Sequence, residues 1–209
     1  MHADAIIHTD LSQKVYEILR AKILNDELKS GEKLTQQKIA EYLAVSRMPL
    51  HRAFQMLEAD LLVEQKPRRG FYVREFKDAE ILDAFEVREL LEGLAVRKLA
   101  LHLAHLNISE RLFKYFEPFV KTKKIDAERY RKQDRLFHLQ ILEMTDSAIL
   151  QKMNKIGLFL LHSFKSGLVR SPEETLPEHL EIITCIKHGD PVGAEKAMRN
   201  HIAQSINML

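Results

Sequence analysis

The chain has 209 residues, and its 45% hydrophobic and 30% charged residues are typical of a globular protein with one or two domains. Its single cysteine, Cys185, excludes an internal disulfide, and the N-terminus lacks a signal-peptide pattern, so we expect a cytoplasmic protein. No apolar run approaches the roughly 18 residues of a membrane span, so we expect no membrane partner.

Positive charge is concentrated in one part of the chain, although the net charge is only +2. Residues 33–74 contain eight Lys or Arg and four Asp or Glu, whereas residues 75–209 contain twenty of each sign. A basic segment joined to a neutral body is typical of a nucleic-acid-binding domain attached to a second domain.

The order of elements over residues 11–74 predicts a winged helix-turn-helix, which places one helix in the major groove of DNA. The predicted elements are helices over 11–25, 36–43 and 47–59 and strands over 62–65 and 71–74, the strands being joined by KPRRG. Ile39, Ala40 and Leu43 should point inward from the second helix, and Leu50, Ala53, Phe54 and Leu57 from the third. The segment LKSGEKL, with Gly31, reads as a loop.

Every segment after residue 78 reads as helix, so the chain as a whole is predicted to be mostly α. The predicted helices span 78–105, 109–121, 126–145, 147–168, 173–188 and 191–207. Ser171 followed by Pro172, and Gly189 followed by Asp190, are helix-capping patterns. We therefore expect two domains, a winged helix-turn-helix over 1–75 and an all-helical antiparallel bundle over 76–209.

Ten residues of the winged domain are predicted to contact DNA. The start of a recognition helix meets base edges, N-terminal N–H groups suit phosphates, and Arg at a wing tip suits a minor groove. The candidates are Thr35, Gln36 and Ser46 for phosphates, Arg47, Met48, His51 and Arg52 for the recognition helix, and Arg68, Arg69 and Gly70 for the wing. Singly, such residues are more often solvated surface groups; their order and spacing together favour DNA binding.

The helical domain contains a possible set of metal ligands. Asp134 and His138 lie four apart and so share one helix face, while His179 and His201 lie in later helices. Three imidazoles and a carboxylate suit Zn²⁺, Ni²⁺ or a similar divalent ion. Spacing alone does not separate these residues from the other histidines, which include His102, His105 and His188, and most histidines are surface or core residues without a metal.

The segments VYEILRAKILNDELKSGEKL, VSRMPLHRAFQMLEADLLV and RRGFYV resemble the winged-helix domain of the GntR family of bacterial transcription regulators. The resemblance covers residues 11–74 and includes departures from the family pattern. Ala44 stands where the family usually has Gly in the turn, and Leu61 stands where it has Gly before the wing. His51 and Arg52 replace an Arg and a Glu, so the operator of this chain is expected to differ from the family's usual site.

Residues 83–88 and 91–95, together with Asp134-x-x-Phe137-His138, Glu178-His179 and Asn200-His201-Ile202, are similar to the FCD effector domain of the FadR-like GntR branch. This resemblance implies that Asp134, His138, His179 and His201 are metal ligands, and that a small carboxylate binds beside the metal. Arg88 is a candidate to pair with that carboxylate; alternatively it forms a surface ion pair with Glu92. Ser147 and Ala148 replace a Gly-Asn that the family often has.

These observations predict a metabolite-responsive transcription regulator, most simply a repressor. It would bind a palindromic DNA operator as a homodimer, under the control of a small organic-acid effector. One alternative is a regulator whose metal is purely structural or is itself the signal. A metal-dependent hydrolase is the alternative from another class, but no general base is evident beside the ligands, so we predict that the chain is not an enzyme.

Overall fold

The computed structural model describes residues 4–25, 27–153 and 170–208, with side chains from residue 11 onward. It divides into two compact units, Met1–Lys77 and Asp78–Leu209, and the boundary expected from the sequence lies two residues before this division. No described helix combines the length and apolarity that a membrane span requires.

The first unit is a three-helix domain with a small antiparallel sheet. Its elements are α1 (Asp4–Leu24), β1 (Lys33–Leu34), α2 (Gln36–Leu43), α3 (Arg47–Ala59), β2 (Val63–Lys66) and β3 (Gly70–Val73). The sheet order is β1-β3-β2, in which Leu34 and Gln65 both pair with Phe71 of the central strand. Both predicted strands form. The segment expected to be a loop also contributes a short strand, because Lys33 and Leu34 pair with β3.

The core of this unit lies between α1, α3 and the sheet. Leu50, Phe54 and Leu57 of α3 are fully buried, as the sequence predicts, and the Phe54 ring stacks on Phe71 at 4.8 Å. The second helix differs from the prediction. None of its residues is fully buried, and its apolar face, including Ile39, is only half-buried. A helix of eight residues at the edge of a small domain covers the core from one side only.

One residue just after each of the helices α2 and α3 adopts a left-handed backbone conformation that favours glycine. Ala44, which ends α2, has φ 51° and ψ 43°, and Leu61, which follows α3, has φ 59°. These are the two positions at which the resembling family usually has Gly. A side chain in this conformation costs roughly 1–2 kcal/mol relative to a right-handed one, so the turn geometry is retained at an energetic cost.

The second unit is a helical bundle. Its elements are α4 (Asp78–Ala100), α5 (His105–Phe113), a 3₁₀ turn (Glu117–Phe119), α6 (Ala127–Glu143), α7 (described over 148–153), α8 (Pro172–Lys187) and α9 (Pro191–Ile206). The predicted helix over 147–168 therefore lies largely outside the described residues. The helix predicted over 78–105 ends earlier than expected, at Ala100, because a turn interrupts it before His105. Within that turn the backbone N–H of Ala104 donates to His102 Nδ1.

The helices that carry the candidate ligands start at well-formed caps. Ser171 and Glu174 form a reciprocal capping box at α8, as the sequence predicts, and the Asp190 side chain accepts from the Gly193 N–H at α9. Gly189 supplies the turn between the two helices with φ 65°. α8 packs against α9, and α9 packs against α4. The caps therefore set where α8 and α9 start relative to the shared core.

Candidate metal centre

Three helices bring one carboxylate and three imidazoles together inside the second unit. Asp134 and His138 lie one turn apart on α6, His179 lies on α8, and His201 lies on α9. One possible ligand atom from each residue lies within 4.8 Å of the others. Among the described residues, no other histidine joins this group, so the structure separates these three from His102, His105 and His188.

The distances among Asp134, His138 and His179 fit a single divalent ion. His179 Nε2 lies 3.4 Å from His138 Nε2 and 3.2 Å from Asp134 Oδ1, and His138 Nε2 lies 3.9 Å from that oxygen. Ligand atoms about 2.1 Å from a metal stand roughly 3.0–3.4 Å apart at angles near 90–109° and at most about 4.2 Å apart. Both distances from His179 Nε2 lie within 3.0–3.4 Å. The distance from His138 Nε2 to Asp134 Oδ1 lies below the maximum of about 4.2 Å.

Each imidazole uses its Nδ1 atom for a partner outside the group. His138 Nδ1 bonds Glu92 Oε2, His179 Nδ1 lies 2.9 Å from the Tyr130 hydroxyl, and His201 Nδ1 lies 2.8 Å from Glu178 Oε2. Carboxylate oxygens accept, so His138 and His201 donate through Nδ1–H. In the neutral form of each ring, Nε2 then keeps a free lone pair, as in metal-binding imidazoles with such outer partners.

A short chain of hydroxyl groups assigns the same tautomer to His179. Thr175 Oγ1 lies 3.1 Å from the carbonyl oxygen of Ser171 and 3.0 Å from the Tyr130 hydroxyl. The carbonyl can only accept, so Thr175 donates to it and accepts from Tyr130. Tyr130 then accepts from His179 Nδ1–H. All three bonds are satisfied together when the proton of the neutral His179 ring is on Nδ1, which leaves Nε2 unprotonated.

Burial controls the ionisation of the candidate ligands. It lowers the pKa of both His138 and His179 well below the usual range, which keeps these imidazoles neutral and able to bind a cation. Burial also raises the pKa of Asp134 to about 6, against the opposing influence of His201 and Arg88. A bound divalent ion would reverse this effect and hold the carboxylate in its charged form.

The outer carboxylates have charged partners of their own. Burial raises the pKa of Glu92, and the charge of Arg88 opposes that rise. Burial acts in the same direction on Glu178, but hydrogen bonds from His201 and Arg170 outweigh it and lower the pKa of Glu178 to about 2. Arg170 donates to both oxygens of Glu178 at 2.7 Å, so this carboxylate is held in a fixed orientation.

Arg88 occupies a different environment from the surface position that its spacing to Glu92 indicates. The predicted ion pair forms, with Arg88 Nε donating to Glu92 Oε1, but both side chains are buried, at 8% and 0% exposure. Among the described residues, the two Nη groups of Arg88 have no hydrogen-bond partner. Arg88 can therefore hold Glu92 through Nε while its Nη groups face a second anion.

Sequence reasoning missed most of the outer partners of the imidazoles. Glu92 entered only as a possible partner of Arg88, and Tyr130 and Thr175 did not enter at all. Glu178 precedes His179 in the sequence, yet its side chain bonds His201, which is 23 residues away. These partners could have been suspected from polar residues at core-facing positions of the helices, since buried polar groups require hydrogen-bond partners.

The residues predicted to read bases are exposed on the recognition helix of the first unit. Arg47, Met48, His51 and Arg52 are exposed on the first turns of α3, and Met48 is 64% exposed. The rings of His51 and Phe71 pack edge to face with their centroids 6.1 Å apart, which orients the His51 ring over the sheet.

The N-cap side chains of α2 and α3 form no capping hydrogen bonds. Ser46 and Thr35 occupy the N-cap positions of α3 and α2 in extended conformation, but neither side chain caps its helix. Thr35 is exposed and Gln36 is partly exposed. The first N–H groups of both helices therefore remain available to an external acceptor such as a phosphate.

The wing tip projects its arginines from a tight turn between β2 and β3. The Arg69 N–H donates to the Lys66 carbonyl at 3.0 Å, while Arg68 and Gly70 have φ of 60° and 93°. Arg68, Arg69 and Gly70 are all exposed. The tip therefore presents two guanidinium groups that no neighbouring side chain covers.

Comparison with known proteins identifies the two units. Residues 11–73 match the family described as bacterial regulatory proteins, gntR family, and residues 83–204 match the FCD domain. The chain is a GntR-family transcription regulator with an FCD domain. Each match lies within one of the two structural units. The regulator therefore belongs to a family of DNA-binding proteins, and its relatives are transcription regulators rather than enzymes.

Similar proteins span nearly the whole chain. The regulator is 22% identical to the transcriptional repressor RspR of Escherichia coli (strain K12), over 93% of this chain and 86% of that protein. It is 28% identical to the transcriptional regulator LutR of Bacillus subtilis (strain 168), over 90% and 95% of the two chains. The solved structure of E. coli McbR/YncC shares the fold, with a TM-score of 0.73, 21% identity and coverage of 94% and 95%.

Proposed function

We propose that this regulator is a metabolite-responsive repressor whose DNA affinity is controlled by a small carboxylate bound beside a divalent metal. The observation that carries the proposal is the inward array of three imidazole Nε2 atoms beside Asp134, in a chain whose other unit binds DNA. Neutral imidazoles and one carboxylate are a ligand set for Zn²⁺ or Ni²⁺. We assign the ligands as Asp134, His138, His179 and His201.

The proposed effector site lies on the Asp134 side of the metal centre. The Asp134 side chain is 21% exposed, whereas His138 and His179 are at most 1% exposed, so solvent reaches the group past Asp134. A metal there would act as a Lewis acid toward a carboxylate oxygen, and the Nη groups of Arg88 would pair with the same anion. A small organic acid satisfies both requirements.

The proposed operator contacts are the exposed groups of the winged unit. Thr35, Gln36 and Ser46 would bind phosphates, which position the protein without reading sequence. Arg47, Met48, His51 and Arg52 would face base edges in the major groove, and Arg68, Arg69 and Gly70 would enter a minor groove.

We propose that the regulator binds DNA as a homodimer, so that its operator is palindromic. Val87, Leu90 and Leu94 support a contact between two bundles, because they are 47%, 53% and 39% exposed along one face of α4. Burial of this apolar face in a second copy would remove it from water. Light scattering of the wild type and of Leu90→Glu tests the assignment, with a monomeric variant expected.

The effector can control DNA binding only if it binds one state of the regulator more tightly than another. Effector binding that favours the DNA-free state gives repression relieved by metabolite. A second candidate is a purely structural metal, which four protein ligands in a buried site favour, because they complete a tetrahedral shell.

One experiment tests the proposal against this second candidate. Thermal shifts are measured against a panel of small organic acids, for the wild type and for His138→Ala, with and without chelator. The proposal expects stabilisation by at least one acid in metal-loaded wild type, and expects it to disappear in the variant and with chelator. Stabilisation that survives both changes would contradict a metal-anchored effector, and chelation that unfolds the protein would favour a structural metal.

A further inference from the structure

The Glu92 carboxylate connects two groups that are expected to act on the same ligand. Its Oε1 atom accepts from Arg88 Nε, and its Oε2 atom accepts from His138 Nδ1. Its side chain is 0% exposed. We propose that Glu92 is a positioning residue that fixes His138 as an Nδ1–H donor and holds Arg88 beside the metal centre.

A contribution to stability does not explain why the Arg88–Glu92 ion pair is buried. An ion pair of residues four apart on one helix gains little stability even at the surface, and burying both charges costs more than their attraction returns. Arg88 bonds only one oxygen of the Glu92 carboxylate, so the second oxygen needs another donor. His138, 46 residues later on α6, supplies that partner.

The same hydrogen bond restricts the His138 ring. With Nδ1 held by Glu92, rotation about the ring axis is blocked and Nε2 stays aimed at His179 Nε2, 3.4 Å away. The His138 ring also stacks on His201 at 5.3 Å. A carboxylate behind an imidazole raises its basicity and fixes its tautomer, which strengthens the bond to a metal.

Glu92 places Arg88 by the same interaction. Bonding through Nε leaves the edge formed by the two Nη groups of Arg88 free, and that edge can make a bidentate contact with an effector carboxylate. This inference rests on the proposed metal site. One carboxylate would then determine the orientation of one metal ligand and of the cation that pairs with the effector.

The test compares Glu92→Gln with Glu86→Gln, a matched change at an exposed position of the same helix. Gln keeps the shape of Glu but has one acceptor oxygen and one donor group, whereas both neighbours of Glu92 donate. Zinc affinity is measured by competition with a chromophoric chelator. We expect Glu92→Gln to weaken zinc binding about 10–100-fold, as is typical for an outer partner, and Glu86→Gln to leave it unchanged.

A second comparison separates positioning from simple charge. In a His138→Ala background, Glu92→Gln should change zinc affinity less than about threefold, because the residue through which Glu92 acts is absent. The Co²⁺ absorption spectrum should shift in Glu92→Gln but not in Glu86→Gln. A tenfold loss that persists without His138 would mean that Glu92 acts only as a charge, and would overturn the inference.

Wild-type protein provides the deciding measurement if Glu92→Gln does not fold. In zinc-loaded protein with ¹⁵N-labelled histidine, NMR should show His138 with its proton on Nδ1. A proton on Nε2 would overturn the inference, as would unchanged zinc affinity in a folded Glu92→Gln. Absence of zinc binding in the wild type would instead overturn the proposed metal site, so the two failures are distinguishable.

Discussion

His138 Nε2 and His179 Nε2 face each other across 3.4 Å, and their hydrogen-bond partners assign a proton to neither atom. Two lone pairs directed at each other in a buried site repel, and a cation between them converts the repulsion into two bonds.

Metal binding should stabilise the folded regulator. Zinc or nickel at about 100 times its dissociation constant should raise the free energy of unfolding by roughly 2.7 kcal/mol, because the preformed group exists only in the folded state. The change is measured by chemical denaturation with and without metal. His179→Ala should abolish the gain, while His188→Gln, an exposed histidine of the same unit, should retain it. An equal gain in both variants would exclude this site.

Acid should destabilise the metal-free protein. Burial lowers the pKa of His138 and His179 in the folded state, so the unfolded chain binds more protons below its own histidine pKa, and stability falls as pH falls. From about pH 7.5 to 6 the two groups together should cost roughly 1.5 kcal/mol.

This pH window is chosen because Asp134 acts in the opposite direction below it. Burial raises its pKa to about 6 in the folded state, so the stability that it contributes is fully present below its unfolded pKa and is lost as pH rises through about 6. Urea denaturation in chelator measures the effect. His179→Asn should reduce the pH dependence by about half, and a variant with unchanged pH dependence would refute the assignment.

Replacing the left-handed Ala44 by Gly should stabilise the winged unit. Ala44 is exposed and has φ 51°, so Gly relieves backbone strain without loss of packing. We expect a gain of about 0.5–1 kcal/mol after the greater backbone entropy of Gly in the unfolded chain is subtracted. Ala59→Gly is the control: this exposed residue is helical, so the same substitution should destabilise by up to about 1 kcal/mol. Equal signs for the two variants would contradict the prediction.

The wing arginines should contribute to DNA affinity through phosphate charge. Arg68→Ala or Arg69→Ala should weaken binding and lower the slope of log affinity against log salt by about one each. A DNA duplex selected from a random library with the wild type serves as the probe, and fluorescence anisotropy over a salt series gives the slope. Lys132→Ala, an exposed cation of the helical unit, should leave the slope unchanged.

Arg47 is expected to read a base rather than a phosphate. Arg47→Ala should cost about 1–3 kcal/mol on the selected duplex and much less on an unrelated one, because direct readout is specific for sequence. The ratio of the two affinities is the measurement. A uniform loss on both duplexes would reassign Arg47 to the phosphate backbone.

Sequence patterns were sufficient where the determining interaction is local. The bounds of α2 and α3 were predicted correctly, and those of α6, α8 and α9 within two residues, because caps such as Ser171 and Asp190 bond to their own first turn. The interruption before His105 was not predicted, since no Gly or Pro marks it. The half-buried face of α2 was also missed, because helical spacing shows which side is apolar but not how much of it is covered.

By itself, the amino-acid sequence predicted most of the helices and strands and an organisation in two domains, and its resemblance to the FCD domain implied the four candidate ligands. Only tertiary structure decided that Arg88 and Glu92 are buried and that Glu92, Tyr130 and Glu178 stand behind the three imidazoles. Two of these partners lie more than forty residues from the histidine they contact. A bond between residues on different helices depends on how the helices pack, and periodicity along one helix carries no information about which partner its neighbour presents.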